Sequence, residues 1–418
     1  MTADALGPIF ISYRQSDGTA TAVDTAWALR AAGVPVWQDR DDLPPGETEH
    51  LLETAIATGL SGAVLTVTPE IERSAIIRVI EAPALLDQAD AHPHAFTLQI
   101  ASTVERPDSN DLDYDAPDRL LQRPLGTFRR FDQRSARTRF ERADLARRMS
   151  RERLRLLADR IRATGHLRLD IQTRVAPEAI TVAAPLVLRL RPPDPGTRLP
   201  HTSGLADLVD ALVYLPDVVA NAAARADDIP LRLTGGAHLS VATAVGIALP
   251  RTLLGRAEAQ DGDGAIWTGG GPSEEVASLI RVLGHGTGPG HGDNGPEVVC
   301  FVDLIPQASD AAYAAFLDER PHLAAWRHLR PSAPRALDPA QAGPLVAAIA
   351  AHLRELSINA MGARVHLLLR TPWPVAFLLG RQLNTLDITL YEWTGPSEDT
   401  YRAVLRFRDG ARTADVLC

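Results

Sequence analysis

Lysine is absent from this 418-residue chain, so all 43 of its basic side chains are arginines. No Schiff-base amine, pyridoxal-phosphate anchor or P-loop lysine can exist in it, which removes those reaction classes. Cysteine is nearly absent: Cys300 and Cys418 lie far apart, with no CxxC pair. A disulfide framework and a thiolate metal cluster are thereby excluded, and a reducing, cytoplasmic location is expected. No apolar run reaches the roughly 18 residues that span a bilayer, and the N-terminus lacks a basic-then-apolar signal pattern, so no membrane partner is expected. An excess of positive charge is also missing. Acids outnumber bases 52 to 43, for a net charge of −9. That balance argues against a general polyanion binder, DNA included, while leaving room for a local basic groove.

What is present is an ordinary globular mix, 45% hydrophobic and 23% charged, at a length that one core rarely fills, so two or three domains are expected. The first 105 residues or so alternate strand and helix patterns. Pro8–Tyr13, Val34–Trp37, Gly62–Thr68 and Ala95–Ile100 read as strands; residues 19–32, Glu49–Ala57 and Ser74–Asp87 read as helices, the first closed by Gly33. Such alternation predicts βαβ units, a parallel sheet, and ligands at the carboxyl ends of its strands. The acid- and proline-rich stretch Asp39–Gly46 must be a loop, and 106–125 reads as another. Ser135–Ala163 predicts a charged helix with Leu145, Met149, Leu154, Leu157 and Ile161 on one face. Acids interspersed among its arginines favour a linker helix docking on a neighbour over nucleic-acid binding.

The remainder holds an internal repeat. Leu231-Arg232-Leu233-Thr234 leads to Val241-Ala242-Thr243-Ala244-Val245-Gly246 and then to Trp267-Thr268-Gly269. His366-Leu367-Leu368-Leu369 leads to Val375-Ala376-Phe377-Leu378-Leu379-Gly380 and then to Trp393-Thr394-Gly395. Upstream of the copies lie the apolar strands Pro185–Leu190 and Val298–Asp303. Two α/β halves facing each other about a pseudo-two-fold axis, with strand ends lining one shared cleft, is the economical model. His285 and His291 in a Gly-rich loop, with only Asp293 to support them, read as loop rather than metal ligands, so no metal is expected.

The order of FISYR (10–14), WQDRDDLPPG (37–46) and VLTVTP (64–69) resembles the bacterial branch of the TIR (Toll/interleukin-1 receptor) family over roughly residues 7–105. The resemblance implies a flavodoxin-like parallel sheet and, in the enzymatic branch, cleavage of NAD between nicotinamide and ribose. It places the catalytic acid at Glu81, one position further from Ser74 than the family pattern, with Glu72 and Glu70 as alternatives. Ser12, Tyr13, Arg14, Trp37, Asp42 and Ser74 are the expected NAD contacts, with Tyr13 and Trp37 reading equally as core aromatics. The 39–46 loop corresponds to the family's BB loop, which packs on a neighbouring TIR domain.

The tandem halves ending in PWPVAFLLGRQL and ITLYEWTG resemble SAVED domains, fused CARF-like Rossmann-type units that bind cyclic oligonucleotides. The expected contacts are Arg189, Arg191 and Arg370 for phosphates; Gly235, Gly236 and His238 in the first copy; Thr371, Pro372 and Trp373 at a helix start whose amides suit an anion; and Tyr391 and Trp393 for stacking. For Trp267 and Trp393 a core-anchor role competes with ligand contact. The implied domains are a TIR domain at 1–130, a helical linker at 131–165 and a SAVED domain at 166–418, with halves about 166–290 and 291–418.

Together the resemblances imply an effector of cyclic-oligonucleotide-based antiphage signalling. A cyclic tri- or tetra-adenylate is the expected activator. Self-association, head to tail or into filaments, would complete the NAD sites, with NAD as substrate and no cofactor. A ligand-recruited TIR scaffold without activity, or an enzyme cyclising ADP-ribose, are the alternative readings.

Overall fold

The computed structural model describes residues 3–37, 59–174, 183–270, 279–288, 295–306, 310–332, 337–408 and 411–417. The chain divides into two compact units: Met1–Asp170 with Thr181–Arg189 and Asn221–Asp227, and a second unit made of the rest.

The first unit is built on β1 (Ile9–Ser12), α1 (Gln15–Ala31), β2 (Val36–Trp37), β3 (Gly62–Val67), a turn at Ile77–Glu81 running into α2 (Ala82–Ala91), β4 (Thr97–Ser102), β5 (Asp132–Ser135) and α3 (Arg139–Leu156). Its five strands are all parallel, in the order β2-β1-β3-β4-β5. That is the flavodoxin-like order, with its switch point beside β1. β3 is buried along its whole length, as its continuous run of apolar residues requires when both sheet faces are covered. One face packs Phe10, Leu65, Val67, Leu98 and Ile100 against Ile77, Leu85 and Leu86. Gly33 ends α1 with φ +79, a left-handed residue that glycine adopts without strain.

The charged segment predicted from residue 135 begins instead with β5, and its helix α3 opens with a capping box between Thr138 and Glu141. α3 packs on α1, burying Leu145, Met149 and Leu154. Arg153 goes in with them. Its guanidinium donates to the carbonyls of Leu6, Gly7 and Pro185 and to Ser61 Oγ, at 2.7–2.8 Å. Burial lowers its pKa to about 10, still well above neutrality, so the cation persists and the carbonyls serve as its counter-dipoles. The strand read at Pro185–Leu190 is present as Leu186–Arg189 (β7, after β6 at Leu167–Gln172), and it falls in the first unit.

The second unit contains α4 (Thr202–Leu212), β8 (Leu231–Gly236), α5 (Leu239–Ala248), β9 (Ala257–Gln260), β10 (Ile266–Thr268), β11 (Ile280–Thr287), β12 (Glu297–Asp303), α6 (Ala311–Asp318), β13 (Ala325–Pro331), α7 (Ala342–Asn359), β14 (Arg364–Arg370), α8 (Trp373–Gly380), β15 (Ile388–Trp393), β16 (Tyr401–Phe407) and β17 (Ala414–Val416). β8 pairs in parallel with β9, and β9 pairs antiparallel with β10. The other sheet has the order β11-β13-β12-β14-β15-β16-β17, parallel through β13-β12-β14-β15 and antiparallel at both edges.

The repeated glycine of the VAxxxG pattern is where the two copies meet. α5 and α8 pack directly on each other. A Cβ on Gly246 would lie 2.2 Å from the Phe377 carbonyl oxygen, and one on Gly380 would lie 2.3 Å from that of Thr243. Only residues without a side chain let the two backbones touch. The second repeat signal behaves differently: Trp267 closes β10, two strands after α5, whereas Trp393 ends β15, the strand directly after α8. The two WTG segments are therefore not structurally equivalent, although each indole N–H donates to an aspartate six residues away, Asp261 or Asp399.

Gly380→Ala forces two backbones apart, and overpacking of this kind costs about 1–3 kcal/mol. A melting point lower by about 2–12 °C is expected for it by calorimetry, whereas Gly255→Ala, where an added Cβ meets nothing within 4 Å, should leave the melting point unchanged.

Candidate functional sites

The first site is a cavity of about 400 Å³ at the carboxyl ends of β1, β2 and β3. Ser12 ends β1, Tyr13 and Arg14 follow it, Gln15 and Ser16 begin α1, and Trp37 ends β2. Ser74, Ile76, Ile77 and Glu81 come from the segment after β3. The cavity thus sits at the switch point of the sheet, where neighbouring loops leave in opposite directions. Ser12 Oγ donates to Glu81 Oε2 at 2.5 Å, which fixes the carboxylate against the cavity wall. Trp37 lines the cavity and leans on Phe10, ring centres 5.5 Å apart, so it serves the core and the site together.

The extra residue between Ser74 and Glu81 has a structural cause. The turn Ile77–Glu81 is π-helical, with the Ala82 N–H bonded back to the Ile77 carbonyl five residues away. A π turn accommodates one residue more than an α-helical turn, so Glu81 comes round to Ser12 despite the longer spacing. The reserve carboxylates stand elsewhere. Glu70 accepts from Arg14 and Arg73, each at 2.9 Å, and neither Glu70 nor Glu72 lines the cavity. Arg14 lines it while also bonding Asp17 at 3.1 Å, so much of its charge is already balanced. Asp42 and the rest of the 39–46 loop lie outside the described residues.

The second site is a cavity of about 670 Å³ within the second unit. The starts of α5 and α8 both border it, through His238 with Leu239 and through Arg370 with Thr371. Arg174, Arg198, Glu392, Trp393 and Tyr401 complete its polar wall. His238 is buried and held at three points. Its backbone N–H donates to Thr173 Oγ1 at 3.0 Å, its Nδ1 lies 3.1 Å from the same oxygen, and its Nε2 lies 3.0 Å from the Arg198 carbonyl. A carbonyl only accepts, so Nε2 carries the proton and Nδ1 accepts from Thr173. Burial lowers the His238 pKa, which keeps this neutral tautomer at pH 7. Arg198 in turn lies over the Trp393 ring at 5.8 Å, and Arg370 is held by Asp303 at 2.9 Å.

Four of the residues expected here line the cavity: His238, Arg370, Thr371 and Trp393. Arg189 does not, since it lies on β7 in the first unit; Arg191 is paired with Asp207 of α4 at 2.9 Å. Gly235, with φ +93, and Gly236 end β8 without reaching the wall. Pro372 and Trp373 start α8 but stay off the wall, and the expected anion-binding amides are scarce there. Prolines 372 and 374 have none, while the Val375 and Ala376 N–H groups bond back to the Pro372 carbonyl. At α5 the Ser240 N–H is taken by Glu392 at 2.7 Å.

Tyr391 faces the core rather than the cavity. It packs edge-on against Phe316, and its hydroxyl lies 2.8 Å from His366 Nδ1. The cavity is reached instead by the next two residues, Glu392 and Trp393, at the end of β15. Arg174 and Arg198 were missed in the sequence because they carry no motif, and Glu392 because its neighbours Tyr391 and Trp393 read as the ligand contacts of ITLYEWTG; the tertiary packing of loops and the β15 end brings the three together. For metals, His285 lies on β11, while His291 and Asp293 fall outside the described residues. Asp303, Asp310 and His328 place donor atoms within 4.8 Å of one another, but Arg370 and Arg330 flank Asp303 at 2.9 and 3.1 Å and already balance its charge.

A flavodoxin-like unit with a carboxylate-bearing cavity, followed by a two-copy α/β unit with an arginine-lined one, defines a protein of effector and sensor parts. Family models locate both. The TIR domain matches residues 9–109, and SAVED, the SMODS-associated and fused to various effectors sensor domain, matches residues 215–407. The chain is a TIR–SAVED fusion. No curated protein matches it. Among solved structures it is similar to the Acinetobacter baumannii Cap4 SAVED/CARF-domain containing receptor with the cyclic trinucleotide 2'3'3'-cAAA, at 12% identity and a TM-score of 0.45, covering 93% of this chain and 98% of that one. The Moraxella osloensis Cap4 receptor is similar at 12% identity and a TM-score of 0.40, covering 92% and 97%. No helix among the described residues is long and apolar enough to cross a membrane.

The neighbour that fixes Tyr391 also generates a pH dependence. His366 lies 3.3 Å from Glu297, and with His322 and Arg364 beside it the carboxyl is lowered from its usual value of 4.5 to about 2. A depressed folded-state pKa stabilises above the unfolded value and loses that contribution as pH falls from about 4.5 toward 2. Glu297→Gln should therefore melt below wild type at pH 6, with the gap closing as pH drops through that window.

Proposed function

We propose that this protein is a defence effector in which a cyclic oligonucleotide, bound in the arginine-lined cavity, switches on NAD hydrolysis in the TIR cavity. The supporting observation is the Ser12–Glu81 contact: a carboxylate held at 2.5 Å by a strand-end hydroxyl, in a cavity that the indole of Trp37 also lines.

The chemistry asks little else of the protein. The C1'–N bond breaks with its electron pair going to nicotinamide, whose ring nitrogen becomes neutral and needs no acid. Positive charge grows on the ribose C1' and O4', and the Glu81 carboxylate stabilises it. Water then adds to C1' and releases a proton, giving ADP-ribose. Trp37 and Tyr13 supply faces for a ring, and Arg14 with the first amides of α1 supplies donors for the diphosphate.

In the sensor unit Arg174, Arg198 and Arg370 meet the ring phosphates, and Trp393 offers a stacking face worth about 1–3 kcal/mol per base. Ligand-driven association of TIR domains would keep the resting protein nearly inactive, since each NAD site would be completed by a neighbour.

Glu81→Gln should reduce nicotinamide release from ligand-activated protein by about 10² or more while leaving ligand binding and assembly size unchanged. Nicotinamide measured by chromatography, with light scattering on the same samples, checks this. Ligand binding with no release by wild type would favour the scaffold reading, and a cyclic product would favour cyclisation.

A further inference from the structure

The wall of the sensor cavity carries three arginines and one acid. Arg370 is balanced by Asp303 beneath it, and Arg198 lies over Trp393. Glu392 has no cation bonded to it among the described residues. Its Oε1 accepts twice, from the Ser240 N–H and from Ser240 Oγ, both at 2.7 Å. Both lone pairs of that oxygen are thereby used. No donor among the described residues reaches Oε2, although the side chain is only 7% exposed and borders the cavity. Oε2 is open to the cavity and satisfied there by solvent, so a ligand that displaces the solvent leaves the carboxylate oxygen unpaired unless it supplies a donor of its own.

A phosphodiester cannot do so. Its oxygens only accept, and its charge is repelled by the carboxylate. On a cyclic oligonucleotide the groups able to donate are the exocyclic amino groups of the bases and the ribose hydroxyls. Carboxylates read exocyclic amino groups on nucleic acids in this way.

Resting on the reading of this cavity as the cyclic-nucleotide site, we propose that Glu392 is its specificity-determining residue, accepting through Oε2 an N–H or O–H donor of the ligand. The arginines then bind any ring of suitable charge, and Glu392 selects among rings by the donor they present. Ser240 holds the carboxylate in place, so the selection needs no rearrangement of the helix start.

Calorimetric titration of the full-length protein tests this with three probes: a cyclic oligoadenylate (tri- or tetra-), the same ring with purine riboside in place of adenosine, and the same ring with 2'-deoxyadenosine. The second lacks the amino groups without adding a donor; the third lacks the hydroxyls. Wild type should bind one of the two analogues at least tenfold more weakly than the parent, and which one identifies the donor. Glu392→Gln keeps an acceptor for Ser240 but presents an amide, and should shrink that gap to within about threefold. Parent and analogues binding wild type within threefold of one another would overturn the assignment, as would a gap that survives in Glu392→Gln. Binding without discrimination sinks this inference alone, whereas no binding of the parent ring by wild type sinks the sensor reading with it.

Discussion

The contact between α5 and α8 sets the geometry of the sensor unit. Two helices ordinarily stand 8–10 Å apart because side chains separate them. Here Gly246 and Gly380 remove the separating atoms, and each backbone meets a carbonyl oxygen of the other helix. Because each helix follows directly on a strand, bringing the helices together sets the segments at their starts beside one cavity. His238 and Thr371 thereby become neighbours on one cavity wall although 133 positions separate them, 371 less 238. The internal repeat is thus a device for closing two copies on each other, and its glycines do the closing.

The two cavities solve opposite electrostatic problems within one acidic chain. In the TIR cavity the carboxylate of Glu81 is held against the wall by the Ser12 hydroxyl, while Arg14 and Arg73 are bonded to Asp17 and Glu70. In the sensor cavity the arginines face inward and the acids that hold them, such as Asp303, lie behind the wall. Net charge says nothing of this. What matters is which member of each ion pair reaches the cavity, and packing decides that.

Much of the fold was legible because burial writes periodicity into the chain. β3 reads as a fully apolar strand since both faces of a parallel sheet are covered, and Gly33 reads as a helix end since only glycine takes φ +79 without strain. The site was legible in part. Ser12, Tyr13, Arg14, Trp37, Ser74 and Glu81 all border one cavity, because each follows a strand end and strand ends converge in a parallel sheet. Tyr391 reads as a cavity residue but packs into the core against Phe316, while Glu392 and Trp393 at the strand end reach the cavity. The equivalence read between Trp267 and Trp393 failed because a short sequence match carries no information about which strand it closes.

By itself the sequence determined the two-part organisation, the parallel front sheet, the repeat, and the exclusion of lysine and thiolate chemistry. These depend on composition and on local periodicity, both of which the chain carries residue by residue. Only the tertiary structure decided that a π turn returns Glu81 to Ser12, that Glu392 occupies the start of α5, and that Arg174 and Arg198 share a wall with Arg370. Those facts depend on distances between segments far apart in the chain, set by how backbones pack, and no local pattern records them.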